Sequence, residues 1–178
     1  PTAQVQVSQV LAEVGYPMPT LAYLKEVLEN EETDPSARAA VQRAYDILQN
    51  RSDLPRGLDA ANLFLIVGEN AYAAGTRGDA LPGQDPSGQQ GIVWEFGDRT
   101  GLVPVPVPAA IFGDVLAMKA ARNALQLDPD LGSALSLYLA ANLRRENQLP
   151  EGAQDPSYPA EAQPAPFYAM LAGPERVE

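Results

Sequence analysis

The sequence has 178 residues, with 12 basic and 23 acidic side chains and a formal net charge of −11 at pH 7. It contains no histidine and no cysteine. Those two absences exclude a histidine general base, a Ser-His-Asp triad, a cysteine nucleophile, a disulfide bond and an ordinary zinc site within the chain. The length suits one domain or a few stacked repeats, and the negative charge disfavours nucleic acid and anionic membrane surfaces as partners.

Four helices are predicted in the first part of the chain. Apolar periodicity places them at residues 3–14, 19–30, 35–50 and 58–74. The first helix carries an apolar stripe made of Val7, Val10, Leu11 and Val14. The third begins with an Asp N-cap followed by Pro at the first helical position. The fourth is apolar around much of its circumference, which predicts a central position.

The pattern then changes to a loop and a hairpin. Residues 75–91 are rich in glycine and proline and predict a long loop. Residues 92–96 favour a strand, 97–101 a turn, and 102–107 a partner strand. The alternating prolines of 102–107 suit an edge strand or an extended polyproline-like segment.

Two further long helices are predicted at residues 109–127 and 131–147, separated by a break at Asp128-Pro129-Asp130. Residues 148–166 are Pro-rich and are predicted to be extended. A last short helix is predicted at 167–172, with Gly173-Pro174 ending it. No apolar run approaches the length of a membrane span.

Residues 17–50 resemble one HEAT repeat. The resemblance rests on a proline near the start of the first helix, leucines along it, an aspartate, and a small residue followed by arginine in the second helix. These positions are Pro19, Leu21, Leu24, Leu28, Asp34, Ala37 and Arg38. Residues 3–15 resemble the second helix of a preceding repeat.

Residues 114–147 resemble the second helix of one tetratricopeptide (TPR) repeat and the first helix of the next. The matching positions are Ala117, Ala121, Ala124, Leu127-Asp128-Pro129, Ala134 and Leu135. Leu139 and Asn142 stand where that family has Gly and Tyr, so the unit is TPR-like. The chain as a whole resembles large uncharacterised bacterial proteins that mix HEAT and TPR-like helix pairs.

The resemblance implies an all-α fold, a superhelical stack of antiparallel helix pairs (an α-solenoid) with a small β-hairpin insertion. Residues 1–178 are expected to form a single α-solenoid domain or fragment of a longer repeat protein. Its expected parts are HEAT-like helices at 1–75, a loop and hairpin insertion at 76–107, a TPR-like helix pair at 108–147, and a Pro-rich segment with a terminal helix at 148–178.

Five residues are candidates for binding a partner: Trp94, Phe96, Arg122, Arg144 and Arg145. An exposed aromatic on the hairpin suits an interface anchor, although we expect one of Trp94 and Phe96 to pack onto the helices. Arginines in a concave groove can clamp a peptide carboxylate. The alternative interpretation of Arg122, Arg144 and Arg145, and the one we favour, is ordinary surface charge.

The remaining chemistry rests on carboxylates. Asp128 and Asp130 suit paired acids, but we favour helix termination by Asp128 and capping of the next helix by Asp130. Asp79 and Asp85 in the loop could hold Ca²⁺, but their spacing is not that of an EF-hand, and a solvated linker is the favoured interpretation. We therefore predict neither catalytic residues nor a metal site.

The leading functional expectation is a non-catalytic scaffold for a protein or peptide partner, with no cofactor and no nucleic-acid ligand. The alternatives are a hydrolase or regulatory subunit that depends on Asp/Glu or a divalent metal, and a spacer without a ligand. The protein is expected to be soluble, and either cytoplasmic or exported. The partner's identity, the compartment and the oligomeric state do not follow from the sequence.

Overall fold

The computed structural model describes residues 2–97, 99–149, 151–158 and 162–173. Parts of the predictions lie outside these ranges: Asp98 of the turn, Pro150 and residues 159–161 of the Pro-rich segment, Pro174 after the last helix, and residues 1 and 175–178 of the predicted domain. Within the described residues the elements are α1 Thr2–Val14, α2 Pro17–Glu29, α3 Pro35–Asn50, α4 Ala60–Arg77, β1 Gln90–Gly97, β2 Gly101–Pro108, α5 Ala109–Leu127, α6 Gly132–Gln148 and α7 Ala165–Ala172. The mostly helical fold with one hairpin is confirmed.

The helix ends follow the local chemistry of the sequence. The Asp34 side chain accepts hydrogen bonds from the backbone N–H groups of Ser36 and Ala37, and Pro35 is the first residue of α3. Asp59 caps α4 in the same way. Helix α4 runs past its predicted end to Arg77, where Gly78 takes a left-handed conformation and stops it. The connecting loop is therefore shorter than predicted.

The predicted apolar stripe of α1 is not its buried face. Val7, Val10 and Val14 are exposed, whereas Ser8 and Ala12 are buried. Helix α1 packs against α3, and small side chains at the contact let the two helices approach closely. Of the stripe, only Leu11 is partly buried and packs against the core. The apolar period therefore predicted the helix correctly and most of its buried face wrongly.

The helices pack both on their neighbours in the chain and on helices two places away. Helix α1 packs on α3, α2 packs on both α3 and α4, and α4 packs on α5 and α6. Helix α5 also packs on α6, and α6 packs on α7. The main core runs through these contacts, with Leu21, Leu48 and Phe64 among its most buried side chains. None of the described helices is both long and apolar enough to cross a lipid bilayer.

Helices α4 and α5 cross at two glycines. A Cβ added to Gly113 would lie 2.9 Å from the Cα of Gly75 and 2.9 Å from the carbonyl oxygen of Ala71. No side chain fits between the two backbones at this point. The close crossing places the start of α5 directly against the end of α4.

Candidate binding surface

The hairpin is held on α5 by a small core of its own. Val93 and Val107 are buried against Ile111, Phe112 and Val115. The ring of Phe112 lies so close to Gly91 of β1 that an added Cβ would be within 2.5 Å of its Cε2 atom. Only glycine can be accommodated at this contact, and the hairpin is packed closely on α5.

The face of the hairpin that points away from α5 is apolar and exposed. Trp94 is 55 %, Phe96 74 % and Leu102 67 % exposed. Trp94 pairs with Pro104, and Phe96 pairs with Leu102, across the antiparallel ladder. We call these four residues, together with Pro106 opposite Ile92, the outer face.

The expectation that either Trp94 or Phe96 packs onto the helices is wrong. Residues two apart on a strand point to the same side, so the two aromatic side chains must share a face. The residue that packs inward is Val93, the neighbour of Trp94 on the strand, and its side chain is buried. Both aromatic candidates are consequently available at the surface.

The prolines of β2 determine what its free edge can do. Proline has no backbone N–H. Pro104 and Pro106 therefore fit only at positions of β2 where an N–H group would face away from β1. The outer edge of β2 therefore lacks two donors that an added strand would need. The free edge of β2 is therefore poorly suited to extension of the sheet by an added strand.

A cavity of about 350 Å³ lies on the other side of the hairpin, between β1, α5, α6 and the segment that leads into α7. Its apolar lining includes Val93, Val115 and Met118. Its polar lining combines aromatic hydroxyls with charged groups: Tyr138, Tyr158, Tyr168, Glu95, Lys119, Arg122, Arg145 and Asp155. Cavities of this size and mixed lining are typical of sites for small ligands or side chains.

Lys119 and Arg122 stand one turn apart on α5 and both line the cavity. The Lys119 ammonium donates a hydrogen bond to the carbonyl oxygen of Trp94 at 2.7 Å. Burial lowers the pKa of Lys119. The neighbouring charge of Glu95 opposes this change, and the smaller effect of the Arg122 charge adds to it. Two cations side by side repel each other, which is a cost that an anion between them would remove.

Arg144 is a structural residue that joins three helices. Its Nε donates to Oδ1 of Asp114 on α5 at 2.6 Å, and its guanidinium lies 3.5 Å from the centre of the Tyr72 ring. It also donates to the Tyr72 carbonyl oxygen at 2.7 Å and to the Thr76 hydroxyl of α4. Interpreting Arg144 as ordinary surface charge is wrong, because its charge is used inside the molecule.

Arg145 is 5 % exposed, so its interpretation as surface charge is also wrong. Its guanidinium pairs with Asp155 at 3.1 Å and stacks 3.7 Å from the centre of the Tyr158 ring. The Nε donates to Asn142, whose amide nitrogen donates in turn to the Tyr158 hydroxyl at 3.1 Å. This network fixes the segment after α6 and builds one wall of the cavity.

Asp114 is the carboxyl group with the most unusual surroundings. Its side chain is 1 % exposed, and burial raises its pKa to about 6 in spite of the opposing charge of Arg144. It does not line the cavity described above, because Arg144 and the α4–α5 crossing enclose it. Its unusual pKa therefore reflects packing around an internal ion pair.

The other candidate acids are engaged locally. Asp128 ends α5, but Asp130 does not cap α6: that position is held by Leu131, and the Asp130 N–H donates to Asp128. Asp79 pairs with Arg77, and Asp85 accepts bonds from Ser87 and nearby backbone groups. Across the described ranges, no three His, Cys, Asp or Glu side chains gather in a way that would hold a metal ion.

Of the sequence-predicted residues, the structure brings Trp94 and Phe96 together on the outer face and places Arg122 and Arg145 at the cavity behind it. Arg144 lies apart, at the α4–α5–α6 junction. Sequence reasoning missed Lys119 and the tyrosines. One signal was available for Lys119: it is one of only two lysines in the chain, and it lies three residues before Arg122.

Comparison with known proteins adds no relative: the chain matches no protein-family model, no curated protein and no solved structure.

Proposed function

We propose that this chain is a non-catalytic protein-interaction scaffold, built from stacked helix pairs, that binds a partner protein through the outer face of its hairpin. The single observation that carries the proposal is the pair of exposed aromatic side chains, Trp94 and Phe96, on a hairpin seated firmly on α5. Large aromatic side chains on a preorganised surface are the usual anchors of protein interfaces, because ordering them on binding costs little.

The order of helix contacts supports a solenoid. If α2, α4 and α6 form one layer and α1, α3, α5 and α7 the other, then α2–α3, α4–α5 and α6–α7 are the packed pairs. Contacts within a layer, such as α2 with α4, then link one pair to the next. Such a stack buries the apolar faces that a single helix pair leaves open.

The residues that carry the HEAT resemblance also join α2 to α3. Asp34 caps α3, and the Arg38 guanidinium reaches back to the carbonyl oxygens of Leu28 and Asn30 at the end of α2. Those carbonyls have no partner within their own helix. A turn stabilised in this way supports a repeat unit at residues 17–50.

The test is capture of a partner from a lysate of the source organism, at low and at moderate salt, read by mass spectrometry. The chain is compared with a Trp94→Ser/Phe96→Ser variant. The control is Val14→Ser/Tyr16→Ser, which removes equally exposed apolar side chains at the end of α1. Both variants should keep the helical circular dichroism of the parent.

We expect a protein that stays bound at moderate salt to the parent and to the α1 control, and that is lost from the hairpin variant. Interfaces of apolar side chains are weakly screened by salt, whereas charged contacts are strongly screened. Capture that is equal for both variants, or no retained protein at either salt, would overturn the proposal.

A further inference from the structure

The cavity behind the hairpin is a site that the proposed function does not use. It faces α5 and α6, on the opposite side of β1 from Trp94 and Phe96. Its volume of about 350 Å³ equals the space of roughly twelve water molecules in the liquid. A ligand of about ten heavy atoms therefore suits it in size.

The charges that line the cavity select the charge of the ligand. Arg145 and Asp155 form an ion pair that is neutral as a whole. Of the charges left, Glu95 offsets one of the two cations Lys119 and Arg122. The lining residues that the structure describes therefore carry one net positive charge, within a chain whose formal net charge is −11.

The two cations are arranged to meet one anionic group. They lie three residues apart on α5, so their Cβ atoms are neighbours about 5–6 Å apart. Lys119 is half-buried and donates a hydrogen bond to the Trp94 carbonyl oxygen, whereas the Arg122 side chain is exposed. An ammonium and a guanidinium that line the same cavity can share the two oxygens of one carboxylate.

The rest of the lining suits an apolar body. Val93, Val115 and Met118 supply hydrocarbon surface, and Tyr138 and Tyr168 supply aromatic rings with hydroxyl groups. Burial raises the pKa of Tyr138, so its hydroxyl stays protonated at neutral pH and can donate a hydrogen bond. A phosphate dianion fits less well, because its second charge would be uncompensated beside Glu95 and Asp155.

We propose that this cavity binds the carboxylate of a monoanionic ligand that has a short apolar body, with Lys119 and Arg122 holding the carboxylate. The assignment does not depend on the proposed function, because the outer face contributes no side chain to it. Two sources offer this chemistry, a free small carboxylic acid and the carboxyl terminus of a peptide.

The probes are 3-phenylpropionate, which has about the right size for the cavity, and its neutral isostere 3-phenylpropanamide, each titrated calorimetrically into the full chain. We expect the carboxylate to bind about tenfold more tightly than the amide, with the difference shrinking as ionic strength rises from about 10 mM to about 150 mM. N-acetyl-Gly-Phe with a free carboxyl terminus, and its C-terminal amide, distinguish the sources. A peptide acid that binds more tightly than 3-phenylpropionate identifies a chain terminus, and the reverse order identifies a small acid.

Arg122→Gln is the decisive variant, because no hydrogen bond or ion pair of Arg122 is found within the described residues and the fold should not depend on it. Lys119→Met is the second. Arg43→Gln, an exposed arginine on α3 far along the chain, removes the same charge as a control. We expect the preference for the carboxylate to fall at least fivefold in both cavity variants and to be unchanged in the control.

Three results would overturn the assignment. They are equal binding of acid and amide, an undiminished preference in Arg122→Gln, and no binding of any probe at concentrations up to about 10 mM. A loss of binding in Arg43→Gln equal to that in Arg122→Gln would also overturn it, since the effect would then come from net charge and not from the site. None of these readouts involves Trp94 or Phe96, so they do not test the outer face.

Discussion

Replacing Gly91 by alanine tests whether the hairpin is seated on α5 as the structure shows. The added Cβ would lie within 2.5 Å of the Phe112 Cε2 atom, whereas carbon atoms in contact are about 3.5–4.0 Å apart. The ring must therefore withdraw by more than about 1 Å. It has little room to do so, because Phe112 is fully buried and its Cζ already lies against Gly83.

The size of the effect follows from that geometry. Forcing an extra methyl group into a packed core costs typically about 1–3 kcal/mol. Removing a strand glycine returns about 0.5–1 kcal/mol of backbone entropy, so we expect Gly91→Ala to lower the free energy of unfolding by about 1 kcal/mol. For a chain of this length that corresponds to a fall in Tm of about 2–4 °C.

The assay is urea unfolding followed by two signals, far-UV circular dichroism for the helices and fluorescence of Trp94, the only tryptophan. Gln90→Ala is the control, because it changes an exposed side chain on the same strand. In a Phe112→Leu variant, the loss of unfolding free energy caused by Gly91→Ala should fall by more than half, because the aromatic ring that the added Cβ meets is no longer there. The reasoning is refuted if Gly91→Ala matches the Gln90→Ala control or if its cost is the same in both backgrounds.

Two further predictions concern the buried ion pair. Arg144→Gln leaves Asp114 without its cation and should cost about 3 kcal/mol of stability at pH 7, or about 6–12 °C in Tm, measured against Arg43→Gln; an unchanged Tm would contradict it. Because the folded pKa of Asp114 is raised from 3.8 to about 6, its contribution is present below pH 3.8 and is lost as pH rises through 6. Relative to Asp114→Asn, the free energy of unfolding of the parent should therefore fall by about 3 kcal/mol between about pH 4 and pH 7. The measurement is urea unfolding of both proteins across this pH range, and an equal pH dependence in the two would contradict the prediction.

The elements were largely predictable because their signals are local. Asp34 and Pro35 mark the start of α3 within three residues of sequence, and the apolar period marks its buried face. Val41, Ala44 and Leu48 are buried as that period predicts. The hairpin was predictable for the same reason, from β-prone residues on either side of a glycine turn.

What failed depends on contacts between distant parts of the chain. Val7, Val10 and Val14 of the α1 stripe are exposed, and Ser8 and Ala12 are buried instead. The sequence of α1 does not specify which of its faces meets α3, the helix on which it packs. Arg144 is internal because Asp114 and Tyr72 come from two other helices. A single sequence gives the type of each side chain but not the neighbours that decide its role.

The cavity could not be predicted from the sequence for a related reason. Its lining comes from β1, α5, α6 and the segment before α7, none of which forms a motif with the others in sequence. The outer face was only half predicted, since Trp94 and Phe96 were recognised as candidates but were not both placed at the surface.

The most direct test of the interaction surface uses the single tryptophan. Labelling the chain with 5-fluorotryptophan gives one ¹⁹F resonance, from Trp94 on the outer face. On addition of the captured partner, that resonance should shift and its solvent isotope shift in D₂O should shrink, because the indole becomes covered. A resonance that keeps both its position and its solvent isotope shift while the partner is bound would show that binding occurs elsewhere and would contradict the proposed function.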